Sequence, residues 1–154
     1  MKTFIKGFTL IELLVVIAII SILTTSLVVA INPARQMAKA RDSQRESHLT
    51  AIVSAILQYS SEHTGEIPDT DGDPDTNNFP TTATCIGTDV SCFNLGGAGE
   101  TGETIVPDYT YEIPFDPKTG NPPDDTGYTI FADENGYIHA AAVGEAVPTI
   151  SIVR

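Results

Sequence analysis

Residues 1–31 read MKTFIKGFTLIELLVVIAIISILTTSLVVAI and form a strongly apolar part of the chain. A short basic leader, Met1 to Gly7, precedes an apolar run that starts at Phe8. From Leu13 to Ile31 no residue is charged. As a helix, that part would reach about 28 Å, which is close to the ~30 Å hydrocarbon core of a bilayer. The stretch therefore predicts a membrane-spanning helix.

One acidic residue, Glu12, lies near the start of the apolar run. A charge inside hydrocarbon costs ~2.5–3.5 kcal/mol at the helix centre and less near an end, so this carboxylate is a functional candidate whose expected partner is a cation. Two plainer alternatives stay open. One is a secretory signal peptide with a small-residue cleavage site at Val28–Ala30, although such peptides have a shorter apolar region. The other is a signal anchor in which Glu12 only reaches the headgroups.

The ten residues from Gly7 to Val16, GFTLIELLVV, resemble the class III signal of type IV prepilins and type II secretion pseudopilins. The resemblance implies cleavage between Gly7 and Phe8 by a membrane aspartic prepilin peptidase, followed by N-methylation of Phe8. It also implies that Glu12 meets the N-terminal amine of a neighbouring subunit inside a filament. Elementary electrostatics agrees, because an apolar filament core excludes water and a buried carboxylate there needs a paired cation.

The leader also implies a location. We expect a single-pass inner-membrane protein with a cytoplasmic N-terminus and its C-terminal domain outside, which later joins a periplasmic or extracellular filament. The basic residues that follow the apolar run, Arg35, Lys39, Arg41 and Arg45, favour the opposite orientation by the positive-inside rule. Long domains are translocated largely regardless of charge, so the orientation implied by the leader is retained.

Charge is distributed very unevenly along the chain. Six of the eight basic residues lie at or before Arg45, whereas 17 of the 20 acidic residues follow Ser47, where only Lys118 and Arg154 are basic. Such an acidic surface repels polyphosphate, so no nucleic-acid partner is expected for this part of the chain. The basic cluster from Arg35 to Arg45 is expected to contact lipid phosphates.

Hydrophobic periodicity predicts that the helix continues beyond the membrane. Asn32-Pro33 should kink it, because proline removes a backbone donor and clashes with the preceding turn. The next segment is amphipathic, with Gly65 and Pro68 as stop signals. Its apolar stripe is predicted to contain Leu49, Ile52, Val53, Ile56 and Leu57, and its polar face Arg45, Glu46, Ser54 and Gln58.

The last third of the chain predicts strands. Tyr128–Ala132 and Tyr137–Ala141 flank the turn residues 133–136, and Thr149–Val153 alternates as a third strand. The predicted fold class is α+β, a pilin-like ladle in which a long kinked N-terminal helix packs on a small antiparallel sheet. Five segments follow: a leader (1–7), a transmembrane or filament-core helix (8–31), the amphipathic half of the helix (32–65), a loop-rich acidic region (66–111) and an antiparallel meander (112–154).

Cys85 and Cys92 enclose six residues within the loop-rich region. In an exported domain this pair predicts one disulfide that ties down a long connection, and the alternative is two free thiols in a cytosolic chain. The sequence does not have the ligand spacing of a zinc site, because it offers only these two thiols and three scattered histidines, His48, His63 and His139.

Two groups of acidic residues are candidate calcium ligands. Asp71, Asp73 and Asp75 lie on alternate positions with Gly72 between them, and they are hard oxygen ligands that calcium takes. A second acidic group surrounds the predicted hairpin: Asp116, Asp124, Asp125 and Asp133. The segment from Asp116 to Pro122 is similar to one near the C-terminal strands of calcium-binding major pseudopilins, but it lacks their aromatic residue. The alternative for both groups is a solvated acidic loop.

No catalytic constellation is present in the sequence, which predicts a protein that is not an enzyme. The Gly97–Gly102 stretch spells G-x-G-x-x-G but lacks the strand and helix that a dinucleotide site needs. The leading hypothesis is a structural subunit of a type IV pilus-like filament, either a pilus or a secretion pseudopilus. Its expected partners are copies of itself, related pilins, prepilin peptidase and the inner membrane. The alternative is a membrane-anchored or secreted acidic binding domain that does not polymerise.

Overall fold

In the computed structural model of the chain, the apolar stretch forms helix α1, Leu10–Ile31. The structure describes residues 7–72, 76–100 and 102–154, and for residues 28–31 the backbone alone. Three hydroxyls inside this apolar helix donate to the backbone carbonyl four residues earlier, from Ser21 to Ile17, Thr24 to Ile20 and Thr25 to Ser21, at 2.7–2.9 Å. These three hydroxyls are thereby satisfied within the helix, as a hydrocarbon environment requires.

Helix α1 is long and apolar enough, by length and composition, to cross a membrane between Leu10 and Leu27, and none of that window is buried. A single helix of this kind near an N-terminus would also fit a signal sequence. The predicted apolar helix is therefore present.

At the predicted kink the helix is interrupted, and two separate helices result. Helix α1 ends at Ile31, Asn32 takes a left-handed conformation (φ 50°), and helix α2 runs over Pro33–Glu62. Proline suits the first position of a helix because its missing N–H would have no intrahelical partner there. The side chain of Asn32 accepts from the Arg35 N–H at 3.3 Å and so caps α2.

The chain divides into two units, Met1–Met37 and Ala38–Arg154. In the second unit, α2 presents a buried stripe to the core that contains the predicted Leu49, Ile52, Val53 and Ile56. Leu57, also predicted for this stripe, is 41% exposed, and Tyr59 is buried. The prediction that Arg45 lies on the polar face is wrong. Arg45 is 1% exposed, because it lies one turn before Leu49 on the buried side of the helix.

A four-stranded antiparallel sheet covers this stripe. Its strands are β1 (Thr84–Cys85), β4 (Tyr128–Ala132), β5 (Ile138–Val143) and β6 (Thr149–Val153), in the order β1-β4-β5-β6. Two further strands, β2 (Gly99–Glu100) and β3 (Glu103–Thr104), pair with each other. The predicted α+β fold is confirmed, including the hairpin and the third strand. The loop-rich region contributes β1, an element too short for periodicity to predict.

The inward sheet positions are fully or nearly buried, among them Tyr128, Ile130, Ile138 and Ala140. Alternation of side chains along each strand places the intervening residues on the outer face. Close backbone approach fixes the loop after β1, because a Cβ on Gly87 would lie 1.9 Å from the carbonyl oxygen of Asp124. Only glycine fits at that position.

Candidate functional site

The start of α1 is closed by a reciprocal capping box. The Thr9 side chain accepts from the backbone N–H of Glu12 at 3.3 Å, and a Glu12 carboxylate oxygen, Oε2, accepts from the Thr9 N–H at 2.9 Å. The Thr9 hydroxyl also donates to the same Oε2 at 2.7 Å. Thr9 was not among the predicted site residues, although T-x-x-E before an apolar run is the sequence signal of such a box. Neither of the two bonds to the carboxylate uses Oε1.

The predicted processing site, Gly7 and Phe8, lies directly before this box. The Phe8 side chain is 82% exposed. A Cβ built on Gly7 would meet no atom within 4 Å. A glycine at this position is therefore not required by packing of the described residues. The structure leaves cleavage at this bond untested.

Helix α1 offers an apolar surface on all sides. Its large side chains from Leu10 to Leu27 are about half exposed or more, and they include leucines, isoleucines and valines but no cation. Exposed contiguous apolar surface beyond a few hundred Å² marks an interaction site for protein or membrane. The arrangement supplies a helix for a bilayer or a helical bundle, with one carboxylate in its first turn.

In the second unit, a charged cluster that is buried at Arg45 and Asp116 and exposed at Lys118 joins α2 to the sheet region. Arg45 donates from Nε to Asp116 at 2.5 Å, from Nη1 to Asp42 at 2.8 Å and from Nη2 to Glu145 at 3.0 Å. Glu145 in turn accepts from Arg41 and Lys118. Three cations thus face three carboxylates, and each carboxylate receives more than one donor, which is what a buried charge needs.

Backbone donors complete this cluster. Asp42 accepts from the N–H groups of Glu145, Ala146 and Val147, at 2.8, 2.8 and 3.2 Å. Asp116 accepts from the N–H groups of Lys118 and Thr119 at 2.8 and 2.9 Å. The cluster therefore attaches both the β5–β6 loop and the turn after Asp116 to α2.

These hydrogen bonds lower the pKa values of all three carboxyl groups in the cluster. The side chain of Arg41, followed by those of Arg45 and Lys118, lowers the pKa of Glu145 to about 2. Backbone N–H groups, first that of Glu145, lower the pKa of Asp42. Burial acts to raise the pKa of Asp116, but Arg45 and the Thr119 and Lys118 N–H groups outweigh it and hold this pKa well below its ordinary value.

Acid should therefore weaken the second unit. A carboxyl whose pKa is lowered in the folded state contributes stability that is present above its unfolded pKa and lost as the pH falls toward the folded pKa. For Glu145 that window runs from 4.5 down to about 2. We expect the melting temperature of wild type to fall through this window, and to fall less steeply in Glu145→Gln. Glu134→Gln, at the exposed hairpin turn, serves as the control. If the melting temperature of Glu145→Gln fell with pH as steeply as that of wild type, the assignment of this pH dependence to Glu145 would be contradicted.

The predicted disulfide is present. Cys85 and Cys92 are bonded with an S–S distance of 2.05 Å. Cys85 belongs to β1, so the bridge fastens the loop that follows it to the edge of the sheet.

The calcium predictions have different outcomes. Asp73 and Asp75 lie outside the described residues, and the Oδ2 of Asp71 accepts from the Thr76 hydroxyl at 3.1 Å, so this prediction stays untested. In the second group, Asp116 is bound by Arg45 and Asp133 by His139 at 3.1 Å. Among the residues that the structure describes, no three His, Cys, Asp or Glu side chains come together as a metal site.

Comparison with known proteins places the N-terminal stretch in a class. Residues 4–28 match the family model described as the prokaryotic N-terminal methylation motif. This motif is the class III signal of type IV pilins and pseudopilins, so the predicted signal is confirmed. Neither curated proteins nor solved structures gave a significant match to the chain. The chain thus carries a methylation-type prepilin signal on a pilin-like α+β fold, and the proteins that share this motif are structural rather than enzymatic.

Proposed function

We propose that this chain is the precursor of a structural subunit of a type IV pilus-like filament. It is held in the inner membrane by α1 with its N-terminus in the cytoplasm. A prepilin peptidase cleaves it between Gly7 and Phe8, Phe8 is N-methylated, and the subunit enters a filament made of copies of itself and related pilins. The filament is a pilus or a secretion pseudopilus.

The main support for this proposal is that the methylation motif includes most of α1, a helix whose apolar surface is exposed on every side. Residues 4–28 match the motif, and the window Leu10–Leu27 has none of its residues buried. A bilayer covers such a helix before assembly, and a bundle of identical helices covers it afterwards. The second unit has its own core, so it can keep its fold while α1 moves from one environment to the other.

Glu12 has the chemistry to set the register of the bundle. Its Oε2 is engaged by Thr9, and Oε1 can accept a charge-assisted hydrogen bond from an amine. Cleavage after Gly7 creates such an amine at Phe8. In a water-free bundle, a carboxylate and an ammonium group are each costly alone, so only the register that pairs them is stable.

The test of this function is filament formation. The full chain is co-expressed with a prepilin peptidase and a pilus assembly machinery, and filaments are collected by shearing and viewed by electron microscopy. We expect filaments in wild type and none in Gly7→Leu, in which the peptidase site is altered while the described fold keeps its packing, because a Cβ at Gly7 meets nothing within 4 Å. A wild-type chain that is processed yet remains monomeric in the membrane would contradict the proposal and favour an anchored domain that does not polymerise.

A further inference from the structure

Strand β6 forms an open edge of the four-stranded sheet. It pairs with β5 on one side, and among the described residues no strand pairs with its other side. Ile138 and Arg154 exchange both backbone hydrogen bonds, at 2.7 and 3.1 Å. Because such pairs alternate along an antiparallel ladder, the N–H and C=O groups of Thr149, Ser151 and Val153 point away from β5.

Between Pro148 and Arg154, which flank β6, this edge lacks the features that protect natural sheet edges. Edge strands are usually blunted by charged side chains, prolines or bulges, which prevent pairing with another chain. The five residues of β6, TISIV, contain no charge and no proline, and three of them are β-branched isoleucine or valine. The strand is therefore suited to accept a further antiparallel strand.

The strand residues of the outer face beside this edge include no carboxylate, and the nearby Asp133 carboxylate of the β4–β5 turn is hydrogen-bonded to His139. It is formed by Thr129 and Phe131 of β4, by His139, Ala141 and Val143 of β5, and by Thr149, Ser151 and Val153 of β6. The second unit is acidic as a whole, since 17 acidic residues follow Ser47 against Lys118 and Arg154. Two copies of this chain repel each other wherever acidic surfaces meet, so the uncharged face and edge are where they can approach.

We propose that β6 is a self-association edge, in which two copies of the chain pair their β6 strands antiparallel about Ser151. Thr149 of one copy then faces Val153 of the other, and the two four-stranded sheets become one. The pairing adds about six backbone hydrogen bonds, since every outward-pointing residue of β6 exchanges two with its opposite. This contact does not involve α1 and would link copies within or between filaments.

Disulfide trapping in the full chain tests the pairing. In the proposed dimer the two Ser151 residues form a hydrogen-bonded pair with Cα atoms about 5.5 Å apart, a Cα separation common in disulfides, so a disulfide is within reach after a small adjustment. Ser151→Cys should therefore give a dimer on non-reducing gels after mild oxidation of membranes. Val143→Cys is the matched control: Val143 is 76% exposed on the same face but lies on β5. Two β5 strands would be about 14 Å apart across the dimer, too far for a disulfide.

Several-fold more dimer from Ser151→Cys than from Val143→Cys is the expected result. Adding Val153→Pro to Ser151→Cys should abolish the dimer, because it removes an outward N–H and leaves the β5–β6 ladder intact; the melting temperature confirms that this variant folds. Equal trapping of both cysteines would indicate random collision and overturn the proposal, as would no trapping at all. Filament formation is scored separately, so trapped dimers without filaments would refute the proposed function alone, and filaments without trapped dimers would refute only this inference.

Discussion

Glu12→Val is expected to abolish filaments while leaving cleavage after Gly7 intact. Without the carboxylate, the Phe8 ammonium group of the neighbouring subunit is buried unpaired, and breaking a buried ion pair in this way costs about 3–5 kcal/mol. That energy corresponds to more than about a hundredfold in an association equilibrium. The amount of sheared filament and the fraction of processed protein are measured on the same cells.

Glu12→Gln separates the intersubunit role from the local one. A glutamine keeps an oxygen that can accept from the N–H and hydroxyl of Thr9, so it preserves the capping box seen in the structure. It lacks the charge that the proposed pairing requires. We expect Glu12→Gln to fail in assembly as Glu12→Val does. Normal filaments from the glutamine variant would show that Glu12 acts only as a helix cap and would refute its role in register.

Arg45→Ala is expected to destabilise the second unit strongly. It leaves Asp116, which is 2% exposed, without its principal cation and removes one partner each from Asp42 and Glu145. Removing one partner of a buried ion pair typically costs about 3–5 kcal/mol, a large part of the 5–15 kcal/mol by which a domain is typically stable. Urea unfolding of the full chain in detergent, followed by tyrosine fluorescence or circular dichroism, measures the loss.

Arg35→Ala is the matched control for this variant. It removes the same side chain from an exposed position near the start of α2, where the structure shows no ion pair with any described residue. Surface substitutions of this kind usually change stability by no more than about 0.5 kcal/mol. Equal, small losses in both variants would show that the charged cluster contributes no net stability.

Much of the fold could be predicted because the decisive signals are local. An unbroken apolar run, a proline after it and alternation in 128–132 and 149–153 each act over a few residues, and the corresponding elements are present. Leu57 was misassigned because a stripe at i, i+3 and i+4 spacing broadens at its edge, where one residue can point to solvent. Strand β1 was missed because its two residues form a strand only through pairing with Thr129 and Ile130.

The charged cluster could not be predicted for a different reason. Arg45 lies one turn before Leu49 and therefore on the same side of α2 as the apolar stripe, which the spacing in the sequence indicates. An arginine, however, is the residue type expected on the polar face of a helix. Its partners Asp116 and Glu145 are 71 and 100 residues away, and no local pattern connects them. From the sequence, Asp116 is only one member of an acidic group for which calcium and a solvated loop are the alternatives, whereas in the structure a guanidinium group supplies the positive charge at that carboxylate.

The most direct test of the central claim is the intact mass and the N-terminal residue of the protein extracted from membranes that contain a prepilin peptidase. The account predicts a chain that begins at N-methylated Phe8 and has lost the seven residues of the leader. A chain that still begins at Met1 would mean that the N-terminal stretch is only an anchor, and one that begins at Ile31 would mean a secreted domain. Either of those results would contradict the proposed filament subunit.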